Sequence, residues 1–495
     1  MLVFIANKCK IFWNRLAQYK SAFLKSMCNF ISQLSQQFGK TPTSKQQEAF
    51  FLLERFLLSG QERDCLLLKG YAGTGKTTLI SALVKVLPKM QFKSVLLAPT
   101  GRAAKVMSNY SGKKASTIHK RIYRKKQAMS PDMYFSLAHN VSEDTIFIVD
   151  EASMIADESA DYTGSGLLED LINYVYNDKR CKLILVGDTA QLPPVGVAES
   201  PALDQEYLRV SYGLNLFNIE LTEVVRQEKN SGIFHHATQI REDLALEQLN
   251  IPKLSTKGFK DIYHMTGERL VEGLSYAYDK YGMENTLVIC RSNKNANAYN
   301  QNIRNRILYR EEELSGGDYI MVVRNNYFWL DEQEKAGNFI ANGDVAKIRK
   351  VKNISEMHGF RFADVVLEFI DYPDEGPLDC KVLLDTLYAE SPSLSAADGK
   401  RLFEAVSADY AHISNKRLRL LEMKKDPFYN ALQIKFAYAV TCHKAQGGQW
   451  DAVFIDQGYL TEEMINTEFL RWLYTAITRS TQELFLVNFG MQFQQ

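Results

Sequence analysis

The stretch GYAGTGKT, residues 70–77, has the G-x-x-x-x-G-K-[S/T] spacing that holds nucleotide phosphates. The apolar run 65–70 leads into it, and a helical pattern follows it and stops before Pro88. In such a loop, glycines let successive backbone N–H groups face phosphate oxygens, a lysine reaches the β and γ oxygens, and a hydroxyl ligates Mg²⁺. The sequence therefore predicts a site for a nucleoside triphosphate and Mg²⁺ made from Gly70, Gly73, Thr74, Gly75, Lys76, Thr77 and Thr78.

A second apolar stretch ends in two acids: TIFIVDE, residues 145–151. On its own, such a pair is usually a solvated strand end. Beside a phosphate loop it indicates chemistry, because Asp150 can hold Mg²⁺ through water and Glu151 can polarise the attacking water. The two segments together predict hydrolysis of a nucleoside triphosphate, with Thr77 and Asp150 on the metal.

Parallel β-strands are the elements that must position these loops. Short runs rich in Val, Ile and Leu recur between helical patterns, as expected for strands that are buried on both faces. They form two groups along the chain, so the sequence predicts two α/β units, each a parallel sheet flanked by helices. The runs are 65–70, 94–100, 145–151 and 182–188 in the first group, and 285–290, 436–441, 452–456 and 483–488 in the second.

Residues 341–430 interrupt the second group with a different pattern. The stretches FIANGDVAKIRKV and RFADVVLEFIDYP alternate like antiparallel strands around an Asn-Gly-Asp turn, and the sequence after Tyr372 is irregular. We therefore predict a small β-rich domain inserted into the second α/β domain.

The composition is that of a globular protein with several domains. Of 495 residues, 46% are apolar, and the formal net charge is +1, so any basic track for nucleic acid must be local. Seven cysteines without a C-x-x-C pair favour reduced thiols and a cytoplasmic location over a disulfide framework or a zinc site. The sequence contains no apolar run of membrane-spanning length.

The first 40 residues form a basic extension that contains lysines and one arginine but no acid. Its apolar start is too short for a secretory signal, and the charges follow it instead of preceding it. We expect an amphipathic or disordered segment, with a membrane-surface helix as the alternative. Met27 could open a shorter chain.

Eight segments in register carry a family resemblance that runs from about Thr43 to Val487. Together they resemble the ordered motifs of superfamily 1 helicases, specifically the RecD-like and phage Dda-like branch. The segments are KGYAGTGKTT, LLAPTGRAAKVMS, ASTIHKRIY, IVDEASMI, LVGDTAQLPPVG, LTEVVRQ, AVTCHKAQGGQWD and LYTAITRS.

This resemblance implies an α/β fold with two RecA-like motor domains. The first would span 41–225 and carry a small hairpin insertion at about 120–144. The second would combine 226–340 with 431–495, and the inserted domain at 341–430 would be SH3-like.

The resemblance also implies further residues at the nucleotide. Gln46 would read the adenine edge, and Gln449 would contact the ribose in place of the glutamate common in relatives. Gln191, supported by Asp188, would sense the γ-phosphate. Two arginines from the second motor domain would reach the phosphates and make closure of the cleft depend on ATP; they are Arg226 and Arg479.

Loops that leave the predicted sheets supply the nucleic-acid contacts that the resemblance implies. Hydroxyls, backbone amides and local cations bind phosphate without reading sequence. The predicted contacts are Pro99, Thr100, Arg102, Thr117, His119, Thr441 and His443. Lys105 and the cations of 120–126 extend the track, although a charge cluster alone is more typical of a solvated helix face.

In the Dda-like branch, a hairpin at this place splits the duplex. Tyr134 and Phe135 are suited to stack on the base pair at the fork, and an ordinary core role is an equal alternative for both.

The function implied is an ATP-dependent DNA helicase that moves 5′ to 3′ on single-stranded DNA and unwinds duplexes in replication, recombination or repair. Its polarity rests on the resemblance alone. The alternatives are the motor subunit of a recombination nuclease complex, an RNA-directed motor, and a translocase that strips proteins from DNA. The expected partners are single-stranded DNA and DNA forks, with repair, recombination or single-strand-binding proteins, around a monomeric motor.

Overall fold

The computed structural model describes residues 29–125, 135–157, 165–177, 180–223, 231–244, 246, 250–330 and 339–494, with the backbone alone at 125, 135 and 373. The described helices are α1 (Phe30–Phe38), α2 (Ser44–Leu58), α3 (Lys76–Val86), α4 (Gly101–Ser111), α5 (Ile118–Ile122), α6 (Leu167–Val175), α7 (Gln205–Tyr212), α8 (Gly232–Leu244), α9 (Leu270–Tyr281), α10 (Asn293–Asn302), α11 (Ala396–Asp409), α12 (Lys416–Met423), α13 (Cys442–Ala445) and α14 (Thr467–Ile477). None of these helices is long and apolar enough to cross a membrane.

The strands of the first half are β1 (Asp64–Gly70), β2 (Lys93–Ala98), β3 (Ala115–Thr117), β4 (Tyr123–Lys125), β5 (Phe135–Leu137), β6 (Thr145–Val149), β7 (Lys182–Gly187) and β8 (Asn215–Leu221). Those of the second half are β9 (Ile262–Met265), β10 (Thr286–Cys290), β11 (Tyr319–Val322), β12 (Val345–Met357), β13 (Phe360–Phe369), β14 (Leu378–Leu383), β15 (Leu432–Phe436), β16 (Ala439–Thr441), β17 (Trp450–Asp456) and β18 (Ser480–Val487).

The first sheet has the order β3-β2-β6-β7-β1-β8, and all of its pairings are parallel. Alternate side chains of β1 enter opposite cores: Leu66 and Leu68 pack on one face, and Leu67 packs on the other. This burial on both faces explains the continuous apolar runs. Because the strands are parallel, the loops after β1, β6 and β7 meet at one edge of the sheet.

The second sheet, β16-β10-β17-β18-β9, is also parallel throughout. Its strands β10, β16, β17 and β18 coincide with the predicted second group of apolar runs. The predicted fold class, two parallel-sheet α/β units, is therefore confirmed.

A closed barrel of β11-β12-β13-β14-β15 is built onto the second sheet. Its interior and the second sheet share one core, in which Ile320 and Val365 join Val288 and Phe454. The barrel takes in a strand on each side of the predicted insertion, β11 before residue 341 and β15 after residue 430.

Two details of the barrel differ from the sequence prediction. The β12–β13 hairpin turns at 358–359 and not at the Asn-Gly-Asp stretch, which leads into β12 instead. Part of the stretch predicted as irregular forms α11 and α12, and these pack a small core against Phe360 and Phe362. The side chains of Ser395 and Asn415 cap the starts of the two helices. These capping residues are a local sequence signal for the helices that the prediction did not use.

The predicted hairpin insertion contains β4 and β5, which pair antiparallel. Residues 126–134 between these strands, including Tyr134, lie outside the described residues, and the side chain of Phe135 does too. The predicted wedge role of both aromatics stays a prediction.

Candidate nucleotide site and nucleic-acid interface

A cavity of about 430 Å³ lies where the carboxyl edge of the first sheet meets the second half of the chain. Segments that are more than 400 residues apart in the sequence converge there, so the cavity exists only in the folded pair of sheets. The predicted residues that line it are Gln46, Gly73, Gly75, Lys76, Thr77, Thr78, Asp150, Glu151, Gln191, Gln449 and Arg479. Asp188 lines it too.

The backbone conformation of the phosphate loop requires glycine at position 75. Gly75 has φ +86°, which favours glycine, and a Cβ there would lie 2.6 Å from Nε2 of Gln46. The Lys76 ammonium donates to the carbonyls of Gly70 and Tyr71, the latter at 2.8 Å. Phosphate oxygens are stronger acceptors than neutral carbonyls, so this lysine is placed to exchange them for a nucleotide. Thr74 donates to the Tyr71 carbonyl at 2.8 Å and braces the loop instead of facing the cavity.

Both ends of the Gln46 side-chain amide form hydrogen bonds within the protein. Its Oε1 accepts from the Thr43 N–H at 2.9 Å, and its Nε2 donates to the Thr74 carbonyl at 2.9 Å. The first bond belongs to a capping box at the start of α2. Each end of the amide keeps one further hydrogen-bonding position, and the adenine contact of Gln46 stays a prediction. The T-x-x-Q spacing at residues 43–46 was the available sequence signal for the cap.

The two acids after β6 are oriented by different partners. Oδ1 of Asp150 accepts from the Glu151 N–H at 2.9 Å, and its Oδ2 accepts from the Tyr110 hydroxyl at 2.6 Å. Glu151 has φ +52°, a strained conformation for a non-glycine residue and one that is typical of functional sites. Burial raises the pKa of Glu151, and the Arg479 guanidinium opposes that rise. A carboxylate with a raised pKa in a cavity fits a general base.

Thr77 and Asp150 present a hydroxyl and a carboxylate to the same cavity. Mg²⁺ prefers such oxygen ligands and takes the remainder from phosphates and water, so the donor set fits this ion. Bound there, the metal would neutralise phosphate charge.

Arg479 joins the second half of the chain to these acids. It is 4% exposed, lies 3.7 Å from Oε1 of Glu151, and is fixed by the carbonyls of Thr475 and Gly448. Gln191 bridges the pair when its amide oxygen faces the guanidinium: it accepts from Arg479 at 3.3 Å and donates to Glu151 at 3.2 Å. The second predicted arginine, Arg226, lies outside the described residues.

Cations of the predicted nucleic-acid track contact the barrel. Arg102 lies 3.3 Å from the Asp371 carboxylate, and Lys105 lies 3.6 Å from the same group and donates to the Ile370 carbonyl at 2.6 Å. Lys120 lies 3.8 Å from Glu375. These carboxylates pair with the same cations that the predicted phosphate contacts of the track require.

We call Asp344, Asp371 and Glu375 the barrel acids. Asp344 lies beneath α4, where a Cβ on Gly101 would be 2.7 Å from its Oδ1. Burial raises the pKa of Asp344 to about 7, against the opposing charge of Lys120. Arg102 also packs over the Trp450 ring at 5.2 Å and donates to the Gln449 carbonyl at 3.4 Å, which places it between the barrel and the nucleotide cavity.

The predicted hydroxyl and imidazole contacts lie at helix starts. Thr100 accepts from the Ala103 N–H and Thr117 from the Lys120 N–H, each at 3.2 Å, so both cap helices. His119 packs 6.2 Å from the Phe339 ring, and burial lowers its pKa to about 4.

The remaining predicted contacts are Pro99, just before the Thr100 cap, and the pair Thr441 and His443. Thr441 ends β16 and immediately precedes α13, and burial lowers the pKa of His443. All three are partly exposed. The DNA contacts of this whole set stay predictions.

Two tyrosines at the nucleotide cavity were not predicted. Tyr110 holds Asp150 from α4, and Tyr474 reaches from α14 to Asp188 at 2.6 Å. The sequence carries no signal for Tyr110. Tyr474 precedes Arg479 within YTAITRS, but the sequence carries no signal for its contact with Asp188.

Comparisons with known proteins agree with this geometry. The model of an AAA domain matches residues 43–257, and that of a UvrD-like helicase C-terminal domain matches 436–487. The ATP-dependent DNA helicase dda of Enterobacteria phage T4 is 24% identical over 475 residues, which cover 90% of this chain and 99% of that protein.

The ATP-dependent RecD2 DNA helicase of Deinococcus radiodurans is 24% identical over 444 residues, 87% of this chain and 47% of that longer protein. Among solved structures, Pif1 helicase from Bacteroides with ADP-AlF3 and single-stranded DNA has a TM-score of 0.45 at 15% identity, covering 92% of this chain and 95% of that one. Over most of its length the chain is similar to superfamily 1 DNA helicases of the RecD and Dda type.

Proposed function

We propose that this chain is an ATP-dependent DNA helicase that moves 5′ to 3′ on single-stranded DNA and unwinds duplexes. The observation that carries the proposal is the shared cavity, in which Lys76 and Glu151 of the first half meet Arg479 of the second. A site divided between two sheets makes hydrolysis depend on their relative position, which is what a motor requires.

In this proposal, each side chain has a distinct part in hydrolysis. Lys76 holds the β and γ oxygens, Glu151 accepts a proton from the attacking water, and Arg479 stabilises the charge that develops on the leaving phosphate. Gln191 touches both Glu151 and Arg479, so it is placed to register whether the γ-phosphate is present. Thr77 and Asp150 would hold Mg²⁺, which would supply charge neutralisation.

The strand is proposed to run beside the starts of α4, α5 and α13. Closure of the cavity around ATP would shift the second sheet with its α13 contacts against the first, and hydrolysis would release it. DNA as substrate is taken from the DNA helicases dda and RecD2, which match most of this chain. The 5′-to-3′ polarity rests on the family resemblance of the motifs alone.

We further propose a monomeric motor with DNA forks as substrate and with repair, recombination or single-strand-binding proteins as partners. A cytoplasmic location is proposed from the free buried thiols among the described residues, Cys65, Cys181, Cys290, Cys380 and Cys442.

The experiment that tests the proposal measures ATP hydrolysis with Mg²⁺ in the presence of single-stranded DNA, of single-stranded RNA of the same sequence, and of neither. We expect DNA to give the strongest stimulation, together with displacement of a strand from a tailed DNA duplex. If RNA but not DNA stimulated ATP hydrolysis, the protein would be an RNA-directed motor and the proposal of a DNA helicase would be wrong. Stimulation by DNA without strand displacement would leave a translocase that does not unwind.

A further inference from the structure

One phenol connects the second half of the chain to the phosphate loop. The Tyr474 hydroxyl accepts from the Ala72 N–H at 2.9 Å and donates to Oδ2 of Asp188 at 2.6 Å. The side chain is 1% exposed and belongs to α14, the helix that precedes Arg479. Burial raises the pKa of Tyr474 well above its ordinary value, so the hydroxyl keeps the proton that it donates.

Asp188 is a competitor for the catalytic lysine. Its Oδ1 is used by the Ala190 N–H at 2.9 Å, whereas its Oδ2 lies 3.9 Å from the Lys76 ammonium. Oδ2 is also the atom that Tyr474 contacts. A buried carboxylate oxygen without that phenol would take the nearest strong donor, and a charge-assisted bond to lysine is stronger than a bond to a neutral carbonyl.

The phenol moves with the arginine that completes the site. Thr475, its neighbour, accepts from the Leu192 N–H at 2.9 Å and so ties α14 to the loop after β7. The Arg479 guanidinium donates to the Thr475 carbonyl at 3.1 Å. One helix therefore delivers both the phenol to Asp188 and the guanidinium to Glu151.

We propose that Tyr474 is a positioning residue that holds Asp188 away from Lys76 when the cleft is closed and so frees the ammonium for ATP phosphates. When α14 withdraws, Asp188 captures Lys76 and weakens the hold on nucleotide. This inference rests on the proposed function, since it concerns the same ATP site, and it adds a device by which domain closure sets nucleotide affinity.

The test compares ATP affinity in four proteins: wild type, Tyr474→Phe, Asp188→Asn and the double variant. It uses the KM of hydrolysis and the equilibrium binding of a fluorescent ATP analogue with Mg²⁺. We expect Tyr474→Phe to weaken binding on the order of tenfold, with a smaller change in kcat. Asp188→Asn in the same chain should restore binding to within about twofold of wild type, because the competitor has lost its charge.

Tyr438→Phe is the matched control. Tyr438 is also buried, its hydroxyl donates to Asp318 at 2.8 Å and accepts from the Tyr319 N–H at 3.2 Å, and it lies in the core shared with the barrel. Its loss should leave ATP affinity unchanged.

The outcomes separate the inference from the proposed function. A wild-type chain that does not hydrolyse ATP would refute the function. Unchanged binding in Tyr474→Phe, or a loss that Asp188→Asn does not restore, would overturn the inference alone. If Tyr474→Phe does not fold, Asp188→Asn decides by itself, because the inference expects equal or tighter binding and a clear loss would contradict it.

Discussion

The nucleotide cavity and the nucleic-acid track differ in how their predicted residues are used. In the cavity, side chains from distant segments face a common space, and Lys76 donates to two neutral carbonyls and lies 3.9 Å from the Asp188 carboxylate. On the track, Arg102, Lys105 and Lys120 lie against the barrel acids. The Lys76 ammonium of the nucleotide cavity thus remains open to an anionic ligand, whereas the cations of the predicted track already pair with carboxylates.

The largest effect is expected at the assembled site. Lys76→Ala should lower ATP hydrolysis at least about 10³-fold, since the ammonium is the main positive charge of the phosphate loop. Steady-state ATPase assays measure it, with Lys85→Ala, an exposed lysine on the same helix, as the control. Hydrolysis that survives in Lys76→Ala would mean that the site lies elsewhere.

Arg479→Ala should lower kcat by about 10²- to 10³-fold while nucleotide binding changes far less, because its charge acts mainly on the transition state. Single-turnover hydrolysis and equilibrium nucleotide binding together give this split. Arg471→Ala removes an arginine on α14 that binds the Ala198 carbonyl and should keep near-normal kcat. Equal losses of kcat in both variants would indicate damage to α14 and not loss of a catalytic charge.

A smaller effect is expected on the occupied track. Asp371→Asn should tighten binding of single-stranded DNA by about two- to fivefold and steepen its salt dependence, since Arg102 and Lys105 become available to phosphates. Fluorescence anisotropy at several salt concentrations measures both quantities. Asp379→Asn, an exposed acid of β14 that pairs with Lys352, is the control and should change neither. Weaker binding in Asp371→Asn would show that the barrel acids support the DNA interface instead of competing with it.

The smallest effect concerns the buried member of the barrel acids. The pKa of Asp344 is raised to about 7, above its unfolded value of about 3.9, so the folded state binds the proton more tightly between those values. The contribution of Asp344 to stability is therefore full below about pH 4 and is lost as pH rises to about 7.

Thermal unfolding at pH 5.5 and pH 8 measures this linkage. Wild type should lose about 2–5 °C more in Tm over that interval than Asp344→Asn, which has no proton to release. The difference between the two proteins removes the opposite contribution of His119, whose pKa is lowered to about 4. If the Tm of the two proteins changed equally between pH 5.5 and pH 8, Asp344 would not contribute to the pH dependence of stability.

The sequence predicted the nucleotide cavity better than the track for a physical reason. Phosphate loops and acid-terminated strands are local patterns, and parallel strands bring their carboxyl ends together whatever the rest of the chain does. The capture of Arg102 and Lys105 by Asp371 depends on a barrel more than 250 residues away, and no local pattern reports it.

The hydrogen bonds from tyrosine hydroxyls to the acids of the nucleotide site also have no local sequence pattern, and the sequence did not predict them. Tyr110 and Tyr474 look like ordinary helix residues, and only the folded structure shows that they hold Asp150 and Asp188. In the barrel, alternating apolar and polar residues predicted β12 and β13. The sequence did not predict that β11 and β15 close the barrel, because these two strands are short and resemble the apolar strands of the neighbouring sheet.

The decisive experiment measures strand displacement, with ATP and Mg²⁺ present, from two duplexes that differ only in a 5′ or a 3′ single-stranded tail, and Lys76→Ala is the inactive control. We expect wild type to unwind the 5′-tailed duplex and Lys76→Ala to unwind neither. Unwinding of the 3′-tailed duplex alone, or unwinding that persists in Lys76→Ala, would contradict this expectation.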